Sequence, residues 1–344
     1  MNHAWSDQRI LTHLPAAREL YAAQKDPNRP FPPPRFLSIW LSEICNLDCT
    51  YCYFAETNHD PTRTFMKTEE ILPWLREMRA FGAEALEFSG GGEPTVHKDF
   101  TTIFDEAGKM GYALGLITHA CNPMPLEILA QRAKYVRCGL DAATPETHEK
   151  IKRKPGRFNA AVANIKELVR LRDAYNSGTF TVGIKVVLNS LNFHEYQDVV
   201  WLAGELGVDY IQVKYEHSSD HPLTSEQLEI AQEFFNVQAD LREGDKFKVL
   251  GNMYHQEATV KCFMSPIHSV VNARGELLQC CFMYEKSIGT IRQPIREVWG
   301  GKLHREVMAE TTVADCNKVD CRWNLFNRRM KEIIEDPLQQ ASFI

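Results

Sequence analysis

The chain has 344 residues, with 39 basic and 45 acidic side chains and a formal charge of −6. That mild acidity argues against a nucleic-acid binder built on a broad basic face, while 44% hydrophobic residues can fill one large domain, or a large one with an appendage. There is no run of about 18 apolar residues and no basic-then-apolar leader in residues 1–15, so neither a membrane span nor a secretory signal is expected. The expected location is the cytoplasm, where the ten cysteines would stay reduced.

In chain order, residues 16–25 read as a helix. Pro30, Pro32, Pro33 and Pro34 then form an extended lead-in, because proline joins neither a helix interior nor a sheet ladder. A regular alternation begins after it. Strand 36–42 runs into the first cysteines, and helix 68–81 takes Thr68 as N-cap and Gly82 as its stop. Strand 85–89, helix 99–110, strand 113–118, helix 126–131 and strand 135–140 follow. Helix 159–174 carries Val162, Ile165, Leu168 and Val169 at helical spacing. Strand 180–188, helix 195–206 and strand 210–213 complete the series. Six strands alternating with helices imply parallel βα units with right-handed crossovers and ligands at the strands' C-terminal ends. Six units rather than eight imply an α/β fold of open type, a partial (β/α)6 barrel over 37–240. Residues 1–36 are the lead-in. Past helix 225–239, a hairpin of 269–272 and 276–279 around Arg274-Gly275 marks a small second module over 241–344.

The cysteines fall into groups. Cys45, Cys49 and Cys52 make a CxxxCxxC set on the loop after the first strand, close enough to grip one metal centre. A structural zinc wants four ligands, and the next candidate, His59, stands at a loose spacing. Three cysteines on a four-iron cluster would leave one iron open to another ligand. Cys262, Cys280 and Cys281 form a second group, Cys316 and Cys321 a third. Cys121 and Cys138 stand alone and read as packing thiols. After the second strand, Ser89-Gly90-Gly91-Gly92-Glu93-Pro94 offers glycines that let backbone approach a ligand and a carboxylate that complements an ammonium.

Cys45-Asn46-Leu47-Asp48-Cys49-Thr50-Tyr51-Cys52 resembles the signature of the radical S-adenosylmethionine (SAM) enzymes, including the aromatic Tyr51 before the third cysteine. The resemblance implies a [4Fe–4S] cluster on Cys45, Cys49 and Cys52, with SAM chelating the open iron through its amino and carboxylate groups. Reductive cleavage of SAM then yields a 5′-deoxyadenosyl radical that takes a hydrogen from the substrate. An external electron donor such as flavodoxin or ferredoxin is implied as partner. The glycine run is similar to the family's GGE motif, in which Gly91, Gly92 and Glu93 would hold the SAM amino group. Gly139-Leu140-Asp141 resembles its Ser-Leu-Asp segment, of which Asp141 carries over as a SAM contact. Ile117-Thr118-His119-Ala120 stands where relatives read Thr-Asn-Gly: Thr118 matches, and His119 and Ala120 depart from the pattern and are candidates to face the substrate. Lys185 on the fifth strand is a candidate contact for the SAM carboxylate or the substrate, with a snorkelling lysine as the plain alternative.

Cys262, twelve residues, Gly275, four residues, Cys280 resembles the opening of the SPASM/twitch extension. With Cys316 and Cys321 it implies a second, fully ligated [4Fe–4S] cluster. Cys281 reads as packing, because hairpin alternation points neighbours to opposite faces. A four-cysteine zinc site is the alternative. Twitch-bearing relatives point to a small polar substrate, a sugar, aminocyclitol or nucleoside, undergoing alcohol dehydrogenation or redox-neutral deoxygenation or decarboxylation. Glu216 and His217, leaving the sixth strand, are candidates to deprotonate or orient a hydroxyl, and a solvated loop accounts for them equally. Two alternatives stand beside this expectation: maturation of a ribosomal peptide, as full SPASM enzymes perform, and a zinc-stabilised βα binding protein without radical chemistry. The short stretch before the barrel offers little room for a peptide-recognition domain, which favours the small molecule.

Overall fold

Alternation decides which face of each strand is covered. In β5 (Thr181–Leu188), Val182, Ile184, Val186 and Leu188 are fully buried, and the intervening positions are glycine, polar or half-buried. The apolar set packs on α6 (Arg157–Tyr175), which presents Ile165 and Leu168 to it. The same logic holds in β2 (Ala85–Ser89), β3 (Ala113–Thr118), β4 (Ala133–Gly139) and β6 (Tyr210–Tyr215), with β1 (Phe36–Trp40) heading the series. The computed structural model describes residues 3–54, 60–175, 178–216, 220–254, 257–265, 267–319, 321 and 323–335.

Between these strands lie α2 (Thr68–Phe81), α3 (Phe100–Lys109), α4 (Leu126–Arg132), α5 (Pro145–Lys152) and α7 (Tyr196–Glu205), with α1 (His3–Lys25) ahead of β1 and α8 (Ser225–Leu241) after β6. The strands join in a parallel series from β1 to β6, and a seventh, β7 (Lys248–Asn252), pairs parallel to β6. The sequence expectation of six strands therefore falls short by one: the five-residue run of β7 follows a charged segment and carries a single well-buried apolar residue, Val249. On the other side, β8 (His268–Val271) runs parallel to β1, β9 (Glu276–Leu278) pairs antiparallel with β8, and β10 (Ser287–Thr290) pairs antiparallel with β9. The hairpin expected as part of a separate module thus continues the barrel's own sheet, whose order is β10-β9-β8-β1-β2-β3-β4-β5-β6-β7. The remaining helices are α9 (Ile295–Val298), α10 (Lys302–Glu310), α11 (Val313–Asn317) and α12 (Asn324–Ile334).

Two local expectations change. Thr68 is the first helical residue of α2 rather than its cap, and its hydroxyl donates instead to Asp99 Oδ2 at 2.6 Å. The helix α5 escapes a periodicity reading because it is short and largely polar. Its start signals are nonetheless present: Thr144 accepts from Thr147 N, and Pro145 occupies the first turn. Among the described residues no helix is long and apolar enough to cross a membrane.

Candidate active site

Parallel strands send every βα loop to one end of the sheet. The cysteine loop after β1 therefore meets the glycine turn after β2, the chain after β3 and the helix after β4. Each of them grips it. Glu93 N donates to Ile44 O at 3.0 Å, and a Cβ on Gly92 would lie 2.3 Å from that same oxygen, so only glycine permits the approach. Backbone amides of Asp48 and Thr50 donate to the last carbonyls of α5, Lys152 O at 3.4 Å and Ile151 O at 3.0 Å. These carbonyls lack helical partners, so the loop caps the helix as the helix holds the loop.

The thiols of Cys45, Cys49 and Cys52 are free and half-buried. Burial pushes the Cys45 thiol up to about 12 and Cys49 to about 11, and it raises Cys52; the thiols act on one another in the same direction. Three desolvated sulfurs that repel as thiolates fit a group that brings positive charge. Among the described residues, no three His, Cys, Asp or Glu side chains gather around one point as a single metal ion requires. An iron–sulfur cluster, which spreads its thiolates over several irons, suits the first set better.

Behind the loop lies a buried polar network. Glu93 Oε1 accepts from Thr95 Oγ1 and Thr118 Oγ1, both at 2.6 Å, and Oε2 accepts from His119 N at 3.0 Å. His119 Nδ1 accepts from Cys121 N at 2.9 Å, so Nε2 carries the proton and donates to Asn46 Oδ1 at 2.9 Å. Burial lowers the His119 pKa, consistent with that neutral ring. Asn46 Nδ2 then donates to Asn122 Oδ1 at 2.6 Å. His119 and Ala120, expected to face the substrate, are both buried: His119 holds the cysteine loop through Asn46, and Ala120, with φ of 57°, turns the chain through the left-handed region. Thr118 and Glu93 are brought together as expected neighbours of one site.

A second network sits beneath Tyr51. Its hydroxyl donates to Asp141 Oδ2 at 2.8 Å and accepts from Lys152 Nζ at 2.9 Å, while Lys152 and Asp141 form an ion pair of 2.6 Å with both side chains almost fully buried. Asp141 Oδ1 accepts from Val187 N at 2.9 Å. Burial alone would lower the Lys152 ammonium, but Asp141, with Cys49 and Tyr51, outweighs it and holds it well above the usual lysine range. Asp141 is thereby an anchor of the cysteine loop, with both oxygens engaged. Lys152 is the residue that sequence reasoning missed. The one available signal was the N-terminal motif of α5, whose third turn carries it.

The remaining expected residues lie further along the sheet. Glu216 follows β6, and its Oε2 accepts from Asn189 Nδ2 at 2.8 Å, tying the ends of β5 and β6. His217 and His59 lie outside the described residues. Lys185 sits on the concave face of β5, where burial, then Lys214 and Arg137, lower its pKa to about 8.

The later cysteines occupy an apolar setting. Cys262 Sγ accepts from Ser265 N at 3.2 Å and Asn327 Nδ2 at 3.5 Å; Cys321 is buried with Phe263, Met264, Trp323 and Met330. Burial pushes the Cys321 thiol up to about 12, and Cys262, Cys316 and Cys281 add to the rise. Cys281, expected as a packing thiol, is half-buried and packs against Trp40, Val270 and Leu278, although β9 ends at Leu278 and strand alternation is not what places it; its thiol also lies within electrostatic reach of Cys321. Cys280 Sγ accepts from Phe282 N at 3.5 Å. A cavity of about 230 Å³ opens beside Cys262, lined in part by Phe31, Lys261, Gln279 and Arg305. Edge-on and tilted ring contacts join the two cysteine regions: Trp40 with Phe54 at 5.7 Å, Phe54 with Tyr284 at 5.5 Å, and Tyr53 with Phe282 at 6.4 Å.

Residues 41–200 match the family model of the radical SAM superfamily. The chain is 23% identical over 267 residues to a probable GTP 3′,8-cyclase of Sulfurisphaera tokodaii, covering 73% of this chain and 82% of that protein. It is 24% identical over 258 residues to the mycofactocin maturase MftC of Mycobacterium tuberculosis, covering 70% and 63%. Among solved structures, SuiB of Streptococcus suis bound to its precursor peptide SuiA superposes with a TM-score of 0.67 at 16% identity, covering 86% of this chain and 71% of that one.

Proposed function

We propose, from the premise that this chain is a radical SAM enzyme, that its substrate is a peptide from which it abstracts hydrogen. Its cofactors are S-adenosylmethionine and a [4Fe–4S] cluster, and it draws on a reductant. When bound and reduced, these supply the 5′-deoxyadenosyl radical. The chain's own part is to hold and orient: Cys45, Cys49 and Cys52 would ligate the cluster, and Gly91, Gly92 and Glu93 would frame the SAM amino group with Thr118 behind them. Tyr51, Asp141 and Lys152 fix the loop from below. Cys262, Cys280, Cys316 and Cys321 would hold an auxiliary cluster, and flavodoxin or ferredoxin would serve as donor.

The observation that carries the peptide reading is the reach of the fold likeness. It extends over 86% of the chain to a peptide-bound enzyme, and a maturase stands among the sequence relatives. This moves the expectation from a sugar, aminocyclitol or nucleoside to a peptide. A nucleotide remains a second reading, supported by the probable GTP 3′,8-cyclase, most of whose length this chain matches. The test is isotope transfer. Reduced, reconstituted enzyme is given SAM and either a pool of side-chain-deuterated peptides or a pool of deuterated nucleotides and sugars. Deuterium in 5′-deoxyadenosine from the peptide pool alone is expected; transfer from the second pool alone overturns the peptide reading.

A further inference from the structure

The Glu93 carboxylate is buried, and its two oxygens are used unequally. Among the described residues, Oε1 accepts from Thr95 N at 3.1 Å and from the hydroxyls of Thr95 and Thr118 at 2.6 Å each. Oε2 accepts a single hydrogen bond, from His119 N at 3.0 Å. A carboxylate oxygen offers about two lone-pair sites, so Oε1 is saturated and Oε2 has room for one further donor.

The chain itself holds a competitor for that place. His119 Nε2 carries the ring proton and lies 3.6 Å from Glu93 Oε2, just beyond a hydrogen bond. Another acceptor keeps it away: Nε2–H is bonded at 2.9 Å to Asn46 Oδ1, and the opposite ring nitrogen is fixed by Cys121 N at 2.9 Å. Asn46 is fixed in turn through its amide, which donates to Asn122 Oδ1 at 2.6 Å, and Asn122 donates to Thr95 Oγ1 at 3.0 Å. The hydrogen bonds therefore close a ring, from Glu93 through Thr95, Asn122, Asn46 and His119 back to Glu93. This ring fixes where the imidazole proton points. The cysteine loop has separate anchors, since Ile44 O, Asp48 N and Thr50 N are bonded elsewhere.

Without the Asn46 side chain, the buried Nε2–H loses its acceptor, which is costly. A carboxylate is the stronger acceptor, so the proton turns to Glu93 Oε2 and fills its last free place.

We infer that Asn46 and His119 are positioning residues for a cation at Glu93. By taking the imidazole N–H, Asn46 keeps Oε2 open, and on the reading above that cation is the SAM ammonium.

The inference rests on Glu93 as the contact to the SAM amino group, and the experiment separates the two. SAM affinity of the cluster-loaded full chain is measured by equilibrium dialysis and counted per iron-loaded chain. Wild type is compared with Glu93→Gln, Asn46→Ala, His119→Leu and the double variant Asn46→Ala, His119→Leu. Glu93→Gln is expected to lose about tenfold or more; unchanged affinity there removes the Glu93 contact itself. Asn46→Ala is expected to lose about tenfold, the share of one hydrogen bond. His119→Leu removes the competing proton and should stay within about threefold of wild type. The double variant should return to the level of His119→Leu. A mere loop anchor behaves otherwise, because breaking the Asn46–His119 bond from either side weakens binding alike. Equal losses in the two single variants therefore overturn the inference, as does unchanged affinity in Asn46→Ala.

If Asn46→Ala takes up no iron, a measurement on the metal-free full chain decides. With 15N-labelled histidine, the Nε2–H proton of His119 is assigned by its loss in His119→Leu. It should move downfield in Asn46→Ala as its acceptor changes from an amide to a carboxylate. An unmoved proton overturns the inference.

Discussion

The two cysteine regions are built on opposite physical plans. The first loop is held by polar contacts from three separate elements: the glycine turn after β2, the His119–Glu93 network after β3, and the Lys152–Asp141 pair around α5. The later set lies among Phe263, Met264, Trp323, Phe326 and Met330, with sulfur contacts from Ser265 N and Asn327. Directional bonds fix a loop in position while leaving its outer side open, as a centre that must admit a ligand requires. Apolar packing encloses a centre and keeps water from it. The first plan suits a centre that must admit a ligand, while in the second the apolar packing surrounds Cys321 and leaves Cys262 beside a cavity.

The contrast breaks most visibly at the sulfurs. Replacing Cys45, Cys49 and Cys52 by Ala should cut 5′-deoxyadenosine formation on the order of a thousandfold or more and leave the iron of the second site. Replacing Cys316 and Cys321 should remove that second iron while SAM cleavage survives. Iron and sulfide analysis with product chromatography reads both, and a triple variant with full iron content ends the catalytic assignment.

A smaller effect is expected at the ion pair. Lys152→Met strands the buried Asp141 carboxylate and should cost about 3–5 kcal/mol in denaturant unfolding. The double variant Lys152→Met, Asp141→Leu should recover part of it. No recovery would mean that Lys152 acts through packing instead of charge.

Gly92→Ala places a methyl group against Ile44 O and should cost about 1–3 kcal/mol while weakening SAM binding in dialysis. Gly289→Ala, in the later region, would meet the Val298 side chain and should leave SAM binding as it is.

The smallest effect sets one histidine of each region side by side. Burial pushes both His148, beneath the first loop, and His304, beside Phe31 and Trp299, down to about 3. Below about pH 6.5 the unfolded chain takes up protons that the folded chain refuses, so stability falls as pH drops from there toward 3, by at most about 1.4 kcal/mol per unit for each histidine. His304→Gln should flatten that slope by one histidine's share in pH-dependent unfolding, and His148→Gln by the same amount. A slope unchanged in either variant would show that histidine to be charged in the folded protein.

Much of this was legible in the chain itself. Strands 85–89 and 113–118 stand where alternation and turn residues put them, and Cys45, Cys49, Cys52 and the glycine run were identifiable because their chemistry needs particular residues at short spacing. Lys152 was not legible: a lysine on a polar helix reads as solvated surface, and only the tertiary fold carries it under Tyr51 to meet Asp141. Cys281 packs as expected, against Trp40, Val270 and Leu278, but for a different reason, since β9 ends at Leu278 and alternation holds only while the strand lasts. Lys185 was visible as a residue, but its company of Arg137 and Lys214 came from register across three strands.

By itself, then, the sequence determined the βα alternation, the position of the cysteine loop and the match of residues 41–200 to the radical SAM family model. Those depend on local pattern, on period and on spacing within a few residues. The tertiary structure decided that the C-terminal hairpin joins the barrel sheet at β1, that His119 is buried against Asn46, and that Lys152 meets Asp141. Each of those is a meeting of residues distant in the chain, settled by strand register and by the need of buried charges and polar groups for partners.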